Sequence, residues 1–136
     1  IAKFIQGLAI VNLIGNGFKG LMKMMTIHLN LEQLSELKEV LEDEFSVLIT
    51  TYLQDAELRQ QMITAAIQAK DYNAARLAAH SLKGASANLG ALMLAEICEH
   101  LEHDCRAGSY DNCEVYQQQI GEEFVIVKVE LLKLSD

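Results

Sequence analysis

Apolar residues recur every three or four positions along this 136-residue chain, from about residue 31 onward. This spacing is typical of one face of an α-helix. The stretch 124–129 is rich in β-branched residues, but it lies inside a continuing helical pattern and predicts helix rather than strand. The pattern predicts a short helix over 31–41, followed by four longer helices over 43–70, 71–90, 91–107 and 111–134.

Residues that favour helix ends stand at most of these boundaries. Polar side chains that accept a hydrogen bond from the backbone open helices, and glycines in a left-handed conformation end them. The predicted N-terminal caps are Asn30 (with Gln33), Asp71 and Asp111 (with Glu114), and the predicted terminal glycines are Gly90 and Gly108.

Short turns join the four long helices, so neighbouring helices must run antiparallel. The expected fold class is therefore all-α: an antiparallel up-down-up-down four-helix bundle whose one end is covered by the short helix. No repeat and no proline-rich linker divides the chain. We expect one bundle domain over residues 30–136, preceded by an N-terminal accessory segment over residues 1–29.

The first 24 residues differ from the rest of the chain. They contain Lys3, Lys19 and Lys23 but none of the 19 acidic residues. The apolar stretch 4–18 is interrupted by polar residues and is shorter than the ~20 residues that a membrane span needs, so we expect no span. The pattern of charge and apolar residues also fits a signal peptide, but no small-residue cleavage site follows.

Charge and cysteine content narrow the classes of function. The formal net charge of −8 argues against nucleic acid as a partner, because proteins that bind it need a basic face. Three cysteines in no recognisable framework fit a reducing compartment better than a disulfide scaffold. We therefore expect a cytoplasmic protein.

His80 is the most informative candidate residue. At about 100° per residue, it lies roughly 140° away from the apolar face of the helix predicted over 71–90. A histidine that fills a core would point the other way. The apolar face consists of Ala75, Ala78, Ala79, Leu82, Ala85, Ser86 and Leu89, and the neighbours of His80 are Arg76, Lys83, Gly84 and Ala87.

These neighbours suit a nucleophilic histidine. A neutral imidazole is a nucleophile near physiological pH. Lys83, three positions further on, is a cation that can reach an anion bound to the ring. Gly84 lies in mid-helix, where glycine costs about 1 kcal/mol relative to alanine, and its missing side chain lets a partner approach closely. The arrangement predicts a histidine that transiently carries a phosphoryl group.

The run from His80 to Gly90 resembles the signature H-x-x-K-G-[SA]-[SA]-x-x-[LIM]-G of the histidine-containing phosphotransfer (HPt) domains of bacterial and fungal multistep phosphorelays. The resemblance covers residues 30–134 and implies the same four-helix architecture. It also implies that His80 accepts a phosphoryl group from the aspartyl phosphate of one receiver domain and passes it to an aspartate of another. The matching positions are His80, Lys83, Gly84, Ala85, Ser86, Leu89 and Gly90, without a gap.

The resemblance further implies the partners, which are response-regulator receiver domains and a hybrid sensor kinase. The receiver would supply Mg²⁺, so no cofactor is expected on this chain. The sequence has no P-loop and no glycine-rich nucleotide lid, and we expect no ATP-dependent kinase activity of its own. Met25 would open a chain of the length usual for this family, which favours a free-standing module.

Two residues of the next predicted helix are supporting candidates. In the family, a polar side chain on this helix holds the second imidazole nitrogen, and by ungapped count that position is Glu102. Arg106, one turn further on, matches a position that is basic in some members and would contact the receiver or the phosphoryl group. A simple surface pair between Glu102 and Arg106 is the alternative interpretation.

The exposed face around His80 is the expected docking surface for a receiver. It is an apolar patch inside a polar rim, and it includes Arg76, Leu77 and Ala87. The alternative function, from a different class, is a non-catalytic helical adaptor that forms a homodimer through residues 1–24. An adaptor would tolerate replacement of His80, whereas a phosphotransfer protein would not.

A metal site is the third alternative, because histidine, cysteine and aspartate are crowded in the helix predicted over 91–107. Zinc needs convergent ligands. The helical count points the two cysteines towards the core and His103 roughly opposite, so we expect no metal. The crowded residues are Cys98, His100, His103, Asp104 and Cys105.

Overall fold

The computed structural model describes residues 28–135 as five α-helices, and no strand occurs in this part of the chain. The prediction of an all-α fold is confirmed, and the β-branched stretch 124–129 is helical. The predictions for residues 1–27 lie outside the described residues. The helices are α1 (Leu31–Leu41), α2 (Glu44–Gln68), α3 (Tyr72–Asn88), α4 (Leu92–Ala107) and α5 (Cys113–Ser135).

Helices α2 to α5 form the four-helix bundle. Helix α3 packs against α2 and α4, and α5 packs against the same two helices, so α3 and α5 occupy opposite corners. Helix α1 covers one end of the bundle. The Asn30 N–H donates to the carbonyl oxygen of Gly90 at 2.8 Å, and Lys38 Nζ donates to the carbonyl oxygen of Leu134 at 2.7 Å. These bonds fix α1 to the α3–α4 turn and to the end of α5.

The core runs along the inside of the bundle, and its side chains recur at helical spacing. Apart from Leu82, the buried residues of α3 are alanines and a serine, which lets α2 and α4 approach this helix closely. Burial of large apolar side chains from every helix supplies the main stabilisation. The largest fully buried side chains are Phe45, Leu29, Leu34, Ile49, Ile63, Leu82, Leu94, Leu101, Ile120, Leu131, Val127 and Cys98.

Two adjacent apolar residues of α2 lie on different faces of the helix. Met62 is exposed, and its neighbour Ile63 takes the place in the core. One step along a helix turns the side chain by about 100°. Since α2 carries apolar residues on more than one face, periodicity alone does not determine which of two adjacent apolar residues points inward.

Most of the predicted helix ends are present. Asn30 Oδ1 accepts a hydrogen bond from the Gln33 N–H at 3.1 Å, and Asp71 Oδ1 accepts one from the Ala74 N–H at 3.1 Å. The last helix differs, because α5 begins at Cys113 and the residue directly before it is Asn112 rather than the predicted Asp111.

The start of the described chain is packed into the bundle. Leu29, which the sequence places in the accessory segment, is almost completely buried in the core. Between residues 28 and 135, no helix is both long enough and apolar enough to cross a membrane.

Replacing Gly90 by alanine should destabilise the fold more than replacing Gly108. Both glycines have positive φ, 74° and 75°, where alanine costs about 1–2 kcal/mol. A Cβ at Gly90 would also lie 3.0 Å from Asn30 Cβ, whereas one at Gly108 would meet nothing within 4 Å. We expect Gly90→Ala to lower the free energy of unfolding by about 2–3 kcal/mol and Gly108→Ala by about 1 kcal/mol, measured by urea unfolding. Equal losses would contradict the close contact between Asn30 and the α3–α4 turn.

Candidate functional site

His80 lies on the outward side of α3. Its side chain is 63% exposed, while Ala79 and Leu82 beside it are buried in the core. The sequence-based orientation of the helix therefore agrees with the structure. An exposed imidazole on a rigid helix is accessible to a reactive group carried by another protein.

Glu102, on the neighbouring helix α4, contacts the ring. Its Oε1 atom lies 2.8 Å from His80 Nδ1, and its side chain is only 4% exposed. Helices α3 and α4 pack along each other, which brings two residues 22 positions apart into hydrogen-bonding distance. The buried carboxylate thus fixes one nitrogen of an otherwise exposed ring.

Two cations contact the same carboxylate. Lys83 Nζ lies 2.7 Å from Glu102 Oε2, and Arg106 Nη2 donates to Oε1 at 2.7 Å. The predicted cation at Lys83 is therefore engaged in an ion pair across the α3–α4 contact. The Arg106 contact is the i,i+4 pair within α4 that the sequence offered as an alternative, and the Glu102 carboxylate makes this pair and the His80 contact together.

The pKa of Glu102 determines which nitrogen of the His80 ring donates to the carboxylate. Burial alone would raise this pKa, but contacts with the Lys83 ammonium and the His80 ring outweigh burial, so the pKa lies below its usual value of 4.5. Glu102 is therefore ionised at neutral pH and can only accept hydrogen bonds. His80 Nδ1 must carry the hydrogen, which leaves the lone pair of the neutral ring on Nε2.

Gly84 lies on the exposed surface one turn from His80. A Cβ built there would meet nothing within 4 Å, so packing within residues 28–135 does not require glycine at this position.

The predicted docking residues lie near Gly84. Leu77 is 53% exposed and Ala87 is exposed, and both lie on the outward side of α3. Arg76 donates to Asn73 Oδ1 at 2.9 Å within the same helix. The predicted docking residues therefore form one open surface around the histidine.

The structure adds two contacts that the sequence did not indicate. Gln33 Nε2 of α1 donates to the carbonyl oxygen of Asn88 at 2.8 Å, which places α1 beside the end of the docking surface. Behind the site, the Tyr52 hydroxyl and Ser86 Oγ pair at 2.8 Å inside the core, and burial raises the pKa of Tyr52 to about 12. Ser86 of the sequence motif is thus a buried contact of the bundle. In each pair the two residues lie far apart in sequence, so no local pattern could have revealed these contacts.

The crowded cysteines and histidines of α4 point in different directions. Cys98 and Cys105 are buried, and burial raises the pKa of the Cys98 thiol to about 12. His100 and His103 are exposed. Within the described range, no group of three or more histidine, cysteine, aspartate or glutamate side chains could hold a metal ion.

Comparison with known proteins supplies independent information. The family described as Hpt domain matches residues 47–129. The chain is also similar to a solved structure, the crystal structure of histidine-containing phosphotransfer protein B (HptB) from Pseudomonas aeruginosa PAO1. The sequence identity is 40% and the TM-score 0.77, and the match covers 79% of this chain and 94% of that chain. No curated protein matches this sequence.

The stability contributed by Glu102 should depend on pH. Glu102→Gln keeps the shape of the side chain but removes the charge that Lys83 and Arg106 contact, so we expect it to lower the free energy of unfolding at pH 7 by about 1–2 kcal/mol. Because the folded-state pKa lies below 4.5, this difference is complete above about pH 5 and shrinks as the pH falls below 4.5 through the folded-state pKa.

Urea unfolding of both proteins between pH 3 and pH 7 measures the effect. Glu99→Gln is the matched control, since Glu99 is exposed on the same helix and its replacement should leave stability unchanged at every pH. A difference between wild type and Glu102→Gln that does not vary with pH would refute the role of the charge.

Proposed function

The chain belongs to the Hpt domain family, and we propose that His80 is the residue that carries the phosphoryl group. Proteins of this family act in phosphorelays with receiver domains, so the function is histidine phosphotransfer. The observation that supports His80 is its geometry: an exposed imidazole whose Nδ1 atom is held by the buried carboxylate of Glu102. Held in this way, the ring presents Nε2 in a fixed orientation to an incoming receiver.

The transfer step follows from the position of the hydrogen on Nδ1, where Glu102 accepts it. The lone pair of His80 Nε2 attacks the phosphorus of an aspartyl phosphate on the receiver, and the bond from phosphorus to the aspartate oxygen breaks. The aspartate leaves as a carboxylate, and the new N–P bond places a positive charge on the imidazole ring. The Nδ1–H remains bonded to Glu102, whose negative charge stabilises this cationic ring. The reverse sequence passes the group to the aspartate of a second receiver.

Lys83 and Arg106 supply positive charge beside the reacting nitrogen. Both cations contact Glu102, and Glu102 contacts the His80 ring, so a single side chain separates each cation from the ring. A phosphoryl group on Nε2 brings negative charge that either cation can approach when its side chain rotates away from Glu102. We assign Lys83 to the phosphoryl group and Arg106 to the phosphoryl group or the receiver.

Receiver docking uses the surface around His80, which includes Arg76, Leu77, Gly84 and Ala87. Exposed apolar side chains at the centre and polar side chains at the edge are typical of transient protein interfaces. The open space above Gly84 supports this assignment, because a side chain there would project into the path of the partner.

The remaining partners follow from the same proposal. We expect a hybrid sensor kinase upstream, Mg²⁺ on the receiver rather than on this chain, a cytoplasmic location and no ATP-dependent kinase activity. A homodimer through residues 1–24 stays a prediction, since that segment lies outside the described residues. A non-catalytic adaptor, the alternative function, would not need an imidazole ring held by Glu102.

Replacing His80 should abolish transfer. We expect the wild type to take label from a phosphorylated receiver and His80→Gln to take none, because glutamine has no nucleophilic nitrogen. The control is His103→Gln, which removes an exposed histidine of α4 and should be labelled like the wild type. Labelling is followed by gel autoradiography, and the product should be labile to acid and stable to base. Label retained by His80→Gln would move the acceptor to another residue, and label on none of the proteins from several receivers would favour the adaptor.

Replacing Gly84 by glutamine should block docking without harming the fold. A long side chain on the exposed surface would collide with the receiver, and we expect at least a roughly tenfold weaker affinity. Gly121→Gln is the matched control, since Gly121 is also a helical glycine with open space around it but lies on α5. Isothermal titration with a receiver measures the affinities. Equal affinities of the two variants would remove Gly84 from the docking surface.

A further inference from the structure

Helix α5 has an apolar outer face in addition to the face that it buries in the core. The residues on this outer face are 39–61% exposed, whereas Phe124, Val127 and Leu131 between them point inward. A surface helix normally presents polar residues to solvent, and a contiguous exposed apolar face indicates a contact. The outer face consists of Val125, Ile126, Val129 and Leu132.

The first described residue attaches the preceding chain to this helix. His28 Nδ1 lies 2.6 Å from Glu123 Oε2, and Leu29 is almost completely buried beside it. Glu123 is one turn before Ile126, so the described chain starts beside the flank of α5 that carries Ile126. The place where residues 1–27 join the bundle is therefore fixed on α5.

The sequence of residues 1–27 complements this face in polarity and the bundle as a whole in charge. Its stretch 4–18 is mainly apolar, and Lys3, Lys19 and Lys23 are accompanied by no acidic residue up to position 24. Residues 25–136 contain 8 basic and 19 acidic side chains, a formal net charge of −11, so the basic segment is attracted to the bundle as a whole. A helix of 15 residues would be about 22 Å long, and the outer face measures ~11 Å from Val125 to Leu132. The apolar stretch 4–18 is therefore long enough to cover the face in any conformation.

We propose that residues 1–27 bind the apolar outer face of α5 in the same chain. A second copy of the chain could present the same segment, but the attachment at His28 tethers each chain's own segment to its own α5. A short tether of this kind gives an effective concentration in the millimolar range, which exceeds ordinary protein concentrations. Because α5 occupies the corner of the bundle opposite α3, this contact leaves the surface around His80 open.

The test uses the full chain and trypsin, which cleaves after lysine. A segment that covers α5 is protected at Lys19 and Lys23, and Val129→Asp places a charge at the centre of the covered face. We expect this variant to be cleaved at these lysines about tenfold faster than the wild type, since cleavage follows the population of the released segment. Val47→Asp is the matched control, because Val47 is an exposed valine on α2, and its cleavage should equal that of the wild type.

Three further readouts distinguish the occupants of the face. Light scattering should find wild type and Val129→Asp to be monomers, and circular dichroism should find both folded. A wild-type dimer that Val129→Asp dissociates would overturn the proposal in favour of a second copy. Equal cleavage rates at Lys19 and Lys23 in wild type and Val129→Asp would overturn it altogether. Phosphoryl transfer to Val129→Asp should equal that of the wild type, and a loss would show that the face serves the receiver instead.

Discussion

The buried carboxylate of Glu102 is the interaction on which the site depends. An ionised side chain removed from water costs several kcal/mol unless donors surround it. Here His80 and Arg106 contact one carboxylate oxygen and Lys83 contacts the other, and Lys83 and His80 keep the pKa of the group below its usual value. Since the same contacts orient the imidazole ring, one set of side chains both links α3 to α4 and fixes the ring.

The fold makes this arrangement available through the small residues of α3. Ala75, Ala78 and Ala79 are buried and leave little bulk between α3 and its neighbours. Helix α4 can therefore approach closely enough for a glutamate on its flank to reach a histidine on the outer side of α3. A larger side chain at these alanines would push the helices apart and lengthen the 2.8 Å contact between Glu102 and His80.

Sequence reasoning predicted what depends on local patterns and missed what depends on how helices meet. The five helices and the caps at Asn30 and Asp71 follow from spacing and residue type within a few positions, and the structure agrees. The choice between Met62 and Ile63 and the pairing of Tyr52 with Ser86 depend on how α2 is rotated against α3. That Glu102 lies opposite His80 came from the family resemblance; that it also binds Lys83 required the packed helices.

If His80 carries the phosphoryl group as proposed, competition for Lys83 and Arg106 would let one histidine serve both directions of transfer. A site with free cations would neutralise the phosphoryl group strongly and retain it. In this site the cations already contact Glu102, so a phosphoryl group on His80 gains only the difference between two ion pairs. Glu102 in turn stabilises the positive charge of the phosphorylated ring. On this proposal the carboxylate would limit how tightly the phosphoryl group is held while keeping the ring in place, which is what a relay intermediate requires.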